Sequence, residues 1–166
     1  MLSLSILKYV ILMTIKIIQD TQKRWSDALL AISKAYASQE DYLSLARKHI
    51  LDIYAFDEKM SGVLFKPTMA IDKPIRTDLE GTLSYFVGNN SSYPHDTGFA
   101  LQNWKRITFD NHAFYKRNDL LFVSGQYLFT TYEMHTTLAD YTFGFTYCDK
   151  VWKIMLQHSS LTLPKK

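Results

Sequence analysis

From Phe99 onward the chain alternates. The stretches NWKRITF, HAFYK, LLFVSGQYLFTTY, TTLADYTFGFTY and VWKIMLQHSS carry apolar side chains at every second position, with Asn-Asp, Glu-Met-His and Cys-Asp-Lys turns between them. Period two is the signature of a strand with one buried face. Strands joined by such short turns must be antiparallel neighbours, because a parallel crossover takes about a dozen residues or more. This run commits the second half of the chain to a meander, and everything upstream must pack against it. A sheet this long with helices on one face curls around them, and Gly125 and Gly144 are natural bend points. A curled sheet leaves a hollow at its open end, where a site would form.

Upstream, the period is that of a helix. After Asp20, a candidate N-cap, Trp25, Leu29, Ile32 and Tyr36 recur at four-three-four spacing and line one face. Ser38 with Asp41 reads as a capping box opening a second helix, whose apolar face is Tyr42, Leu45, Ala46, His49 and Ile53. GVLF (62–65) is a short strand stopped by Lys66-Pro67. Thr77 with Glu80 opens a third helix with Leu79, Leu83 and Phe86 on one side and Gly88 as its stop. NNSSYPHDTG (89–98) is turn chemistry and predicts an exposed loop. Helices followed by an antiparallel meander define an α+β domain.

Composition narrows the classes. The length of 166 residues suits one domain, and 47% hydrophobic residues exclude a disordered chain. A net charge of +3 with scattered bases gives no nucleic-acid stripe; Lys105-Arg106 and Lys116-Arg117 are too short. The single cysteine, Cys148, excludes an internal disulfide and a cysteine-based zinc knot. Residues 1–18 are apolar, but Lys8 and Lys16 interrupt them, so no stable membrane span is expected, and they make a poor secretory signal. They read as an extension or weak anchor, with Met13 as the natural start and 19–166 as the domain. The expected location is cytoplasmic, or periplasmic or organellar if the extension is a targeting segment.

In the last stretch Trp152, Ile154 and Leu156 share a face, and unbroken alternation carries His158 and Ser160 with them. Lys153, Met155, Gln157 and Ser159 then face away. An inward imidazole and hydroxyl at the edge of a core need partners, since an unpaired buried polar group costs about 1–3 kcal/mol. A lone inward histidine is more often a satisfied core residue than a catalyst.

The strings VLFKPT (63–68), GTLSYFVG (81–88), GFAL (98–101), YTFGF (141–145) and QHSSLTLP (157–164) occur in an order and spacing that resembles one family. It is the group of cone-shaped, NTF2-like (SnoaL-like) proteins that includes the iota-class carbonic anhydrases, and the similarity runs from about Thr21 to Pro164. The resemblance implies an NTF2-like cone, reversible hydration of carbon dioxide to bicarbonate, and a pocket formed by Thr68, Tyr85, His158 and Ser160. Thr68, Tyr85 and Ser160 would hold substrate, and His158 would relay the proton. Family members often have a further histidine where this chain has Gln157.

A zinc route needs three protein ligands and an open position. His49, His95, His112, His135 and His158 form no ligand motif, so a metal-free site with no cofactor is the expectation, with zinc and manganese left open. His49 could be a second relay, though a packed core histidine is the commoner case. Two rivals stand beside this reading: a small-ligand or oligomerisation module of the same fold, and an isomerase or cyclase pairing His158 with Asp140. Asp140 shares parity with Thr142 and Gly144, opposite the core-facing Tyr141 and Phe143, which disfavours the latter. A homodimer is expected if Val123, Tyr127 and Phe129 lie on the outer face of the sheet.

Overall fold

A computed structural model describes residues 3–56 and 62–163; Met1 and Pro164, which bound stretches singled out above, lie outside them. Its elements run α1 (Leu4–Ala37), α2 (Tyr42–Ile53), β1 (Leu64–Lys66), α3 (Leu79–Val87), a 3-10 turn (Phe99–Leu101), β2 (Trp104–Arg117), β3 (Leu120–Thr131), β4 (Thr136–Cys148) and β5 (Val151–Leu161). The sheet order is β1-β5-β4-β3-β2. The four long strands pair antiparallel as the alternation requires, and the short β1 adds to β5 in parallel.

Helix α1 is continuous from Leu4. Asp20 is therefore not an N-cap but an exposed interior residue paired with Lys16 at 2.8 Å, and Ser3 caps the helix. The other caps sit close to their predicted places. Asp41, not Ser38, caps α2 through the Ser44 amide, and Asp78, one residue past Thr77, caps α3 through the Gly81 amide. In both, the carboxylate accepts the first free N–H groups, which suits the helix dipole. Gly88 ends α3 at φ 66°, a conformation that favours glycine. No described helix is long and apolar enough to cross a membrane.

The core lies between the inner face of the sheet and the three helices. Trp25 of α1 is its hub: it stacks on Tyr127 (5.8 Å between centroids) and meets Phe129 and Phe143 edge-on. Val123, Tyr127 and Phe129 are thus buried inside, at most 1% exposed, not on the outer face as the dimer expectation supposed. The opposite parity of β3 faces out.

Three register shifts interrupt the sheet, the first between Trp104 and Arg106 at the start of β2. In β2 an extra residue, His112, lies between Asn111 and Ala113, opposite Gly125 and Ser124. There β2 comes so close that a Cβ on Gly125 would lie 2.0 Å from the Asp110 carbonyl oxygen. In β5, Gly144 pairs with Leu156 but Phe145 pairs with Ile154, leaving Met155 unpaired as a bulge. This bulge decides which residues of β5 face the interior.

Candidate functional site

Before the bulge, β5 alternates as its sequence suggests, and Ile154 is fully buried. The extra Met155 then reverses the parity, because two residues of β5 oppose one step of β4. Gln157 and Ser159 face the core at 3% and 1% exposure, opposite Phe143 and Tyr141. His158 is exposed and Ser160 half-buried, both on the outer face opposite Thr142 and Asp140. The expected inward placement of His158 and Ser160 is thereby corrected, as is the outward placement of Gln157 and Ser159. Asp140 lies on the outer face too, accepting a 2.8 Å bond from Gln126, so an inward His158–Asp140 acid–base pair has no structural basis.

On the inner face the side chains form a chain of hydroxyls. Tyr127 donates to Ser159 Oγ at 2.5 Å, and Ser159 Oγ is hydrogen-bonded to Thr68 Oγ1. Thr68 is half-buried, so the chain reaches from the core toward solvent. Lys66 brings its ammonium to the same place, donating to the Ser159 carbonyl at 2.8 Å. One step along β5, Trp25 Nε1 donates to Tyr54 Oη at 2.9 Å and Tyr54 donates to Gln157 Oε1 at 2.5 Å.

Tyr85 completes the group. Its ring is held by Phe65 (edge-on, 5.5 Å) and Phe99 (stacked, 5.4 Å). Its hydroxyl is the one buried side-chain polar atom among the described residues that has no hydrogen-bond partner. Thr68 and the Met69 amide are near enough to favour its ionised form, but neither completes a hydrogen bond, and burial outweighs them and raises its pKa. Burial likewise raises the phenols of Tyr54 and Tyr127. At neutral pH all three are protonated donors. Of the four residues singled out in the sequence, Thr68 and Tyr85 therefore meet here, and His158 and Ser160 do not.

The pair is held together by a clasp that the sequence reading missed. Arg76 is fully buried and uses all five of its N–H groups. It donates to the Lys73 and Asp72 carbonyls of the loop bearing Thr68, to the Gly81 carbonyl of α3, and to both carboxylate oxygens of Asp96. Ser84, next to Tyr85, donates to Asp96 at 2.6 Å. The loop carrying Thr68 is thus tied to the helix carrying Tyr85, and the loop at 89–98 contributes a buried carboxylate although its sequence reads as exposed.

The remaining histidines are dispersed. His95 pairs with Asp72, His112 lies beside Asp110, His49 is on α2 and His135 in the β3–β4 turn. No three His, Cys, Asp or Glu side chains among the described residues are placed to hold a metal ion.

The chain is similar to known proteins along most of its length. A family model described as metal-independent carbonic anhydrase matches residues 16–161. A metal-independent carbonic anhydrase of Nostoc sp. (strain PCC 7120 / SAG 25.82 / UTEX 2576) is 36% identical over 144 residues, which is 84% of this chain and 69% of that protein. Among solved structures, an iota-carbonic anhydrase from a cyanobacterium, complexed with bicarbonate, matches at TM-score 0.86 and 34% identity over 90% of this chain and 93% of that one. A putative dehydratase of the NTF2-like family from Streptomyces avermitilis matches at TM-score 0.52 and 14% identity over 90% and 96% of the two chains, a likeness of fold alone. The α+β architecture is the NTF2-like cone.

Proposed function

The chain belongs to the metal-independent carbonic anhydrase family, and on that premise we propose that it catalyses reversible hydration of carbon dioxide at the hydroxyl cluster of Thr68, Tyr85 and Ser159, without a required metal. The observation that carries this reading is the unpartnered Tyr85 hydroxyl, buried beside Thr68 and aimed at no protein acceptor. A buried hydroxyl left unpaired costs about 1–3 kcal/mol, and a bound water or bicarbonate oxygen recovers it.

The chemistry follows from neutral donors in an apolar setting. Water is oriented by Ser159, Thr68 and Tyr85, and its oxygen attacks the carbon of carbon dioxide. One C–O π bond opens, the negative charge moves onto the carboxylate oxygens, and the water gives up one proton. Preorganised O–H donors stabilise that developing charge more in a low-dielectric site than in bulk water. Tyr127 orients Ser159 from behind, and Lys66 adds positive potential at the Ser159 carbonyl. The proton leaves by the half-exposed end of the chain at Thr68. His158 and Ser160, on the outer face, have no part in these steps.

The test is stopped-flow hydration by protein stripped with a chelator. Unchanged turnover supports the reading; loss of turnover restored by zinc or manganese overturns its metal-free part, and no turnover under any condition overturns the activity. Carbon dioxide and bicarbonate are the proposed ligands, in a homodimer formed through the outer face of the sheet, where Leu120 and Leu138 are exposed. Sedimentation as a monomer at micromolar concentration would remove the dimer. The proposed location is cytoplasmic, tested by fractionation.

A further inference from the structure

Carbon dioxide is apolar and bicarbonate is an anion, so one doorway does not suit both. The hydroxyl cluster reaches half-buried Thr68 and Lys66, a polar side suited to bicarbonate, the proton and water. A second space lies among the helices, with Tyr54 in its lining.

Between α1, α2 and α3 is a small cavity, about 20 Å³ as traced by the centre of a water-sized sphere. Ala28, Leu29, Ile32, Ile50 and Ile53 form its walls, and the rings of Trp25, Tyr54 and Phe86 its floor. A single water needs roughly 10–15 Å³ of such space and two to four polar partners. The space is there; the partners are not. Trp25 Nε1 and Tyr54 Oη are spent on each other and on Gln157, which leaves His49 as the one polar lining group with free capacity among the described residues. A cavity of this kind disfavours water and favours a small apolar guest.

Its position fits a route. His49 and Ala28 also line a wide surface groove whose rim carries Arg24, Asp27, Asp52 and Lys153, so the cavity meets solvent at His49. Burial lowers the pKa of His49, which favours its neutral imidazole where the groove meets the cavity. At the inner end, Phe86 stacks on Phe65 (5.6 Å) and lies 5.6 Å from Tyr85, while Tyr54 bonds Gln157 on the site's own strand. Phe86 therefore both lines the cavity and packs against the ring of Tyr85.

We propose that this helix-side cavity is a carbon dioxide site on an entry path running from the groove at His49 to the hydroxyl cluster, so that gas and anion enter by separate ways. The inference rests on the proposed hydratase reading and assigns its apolar substrate a binding place of its own.

Xenon under pressure is the probe for the cavity, and stopped-flow kinetics for the path. Crystals of the wild-type protein should take up xenon among Ala28, Ile53 and Phe86; an empty cavity under pressure overturns the proposal. Ala28→Leu and, independently, Ile53→Phe fill the space from different helices. In each that folds, kcat/KM for hydration should fall by about tenfold, with an equal fall for dehydration because the equilibrium is fixed, and with no loss of thermal stability. Folded variants with kcat/KM within twofold of wild type overturn the path. A wild-type protein with no hydration at all removes the hydratase reading instead, an outcome distinct from an active wild type whose filled variants stay fully active.

Discussion

Replacing Tyr85 by Phe should separate stability from activity. The substitution keeps the ring, and with it the packing on Phe65, Phe86 and Phe99. It removes an oxygen that bonds nothing in the protein and is 7% exposed with its residue. Because an unpaired buried hydroxyl costs about 1–3 kcal/mol, Tyr85→Phe should be neutral or stabilising. For a chain of this size each kcal/mol gained raises the melting temperature by about 2–4 °C. If the same hydroxyl is a preorganised donor, the hydration rate should fall by about 10²–10³-fold. Differential scanning calorimetry and stopped-flow hydration on one preparation read both quantities. A variant destabilised by more than about 1 kcal/mol would mean that the hydroxyl serves the fold; a stable variant with wild-type turnover would mean that it serves nothing in the reaction.

Asp96→Asn leaves the buried Arg76 guanidinium without its counter-charge and should lower stability by about 3–5 kcal/mol in urea unfolding, with turnover falling as the Thr68 loop loosens. Gly125→Ala brings a methyl against the β2 backbone at Asp110 and should cost about 1–3 kcal/mol, measured the same way. Tyr54, Tyr85 and Tyr127 have folded pKa values raised by burial above the ordinary 10.0. The unfolded chain therefore loses these protons first, so their stability contribution is intact below pH 10 and declines above it. Up to three protons are released on unfolding, a slope of about 4 kcal/mol per pH unit. Alkaline titration of the unfolding midpoint checks the sign.

The architecture was legible because it follows from period and turn chemistry. Alternation after Phe99 fixed the antiparallel order, and the caps of α2 and α3 fell within three residues of their predicted places. The inner face of β5 was not legible, because strand parity holds only until a bulge. Gly144 was the available signal: a glycine within a strand marks a bend point, and the bulge lies opposite it at Met155. One inserted residue exchanges His158 and Ser160 for Gln157 and Ser159. The Arg76–Asp96 clasp was hidden for a different reason. Its partners are twenty residues apart in loops, and nothing in local sequence marks a solvent-like arginine as buried. Asp20 failed as a cap because a favourable capping residue does not interrupt a helix whose preceding turns already form.

The measurement that bears most directly on the site is a matched pair of hydration assays on metal-stripped Ser159→Ala and Ser160→Ala. The two serines are adjacent in sequence and opposite in space, one bonded to Tyr127 and Thr68, the other half-exposed on the outer face. Ser159→Ala should lose about 10²-fold or more in turnover while Ser160→Ala and His158→Ala remain within a few-fold of wild type. The reverse pattern, with Ser160 and His158 essential and Ser159 dispensable, would contradict an active site on the inner face of β5.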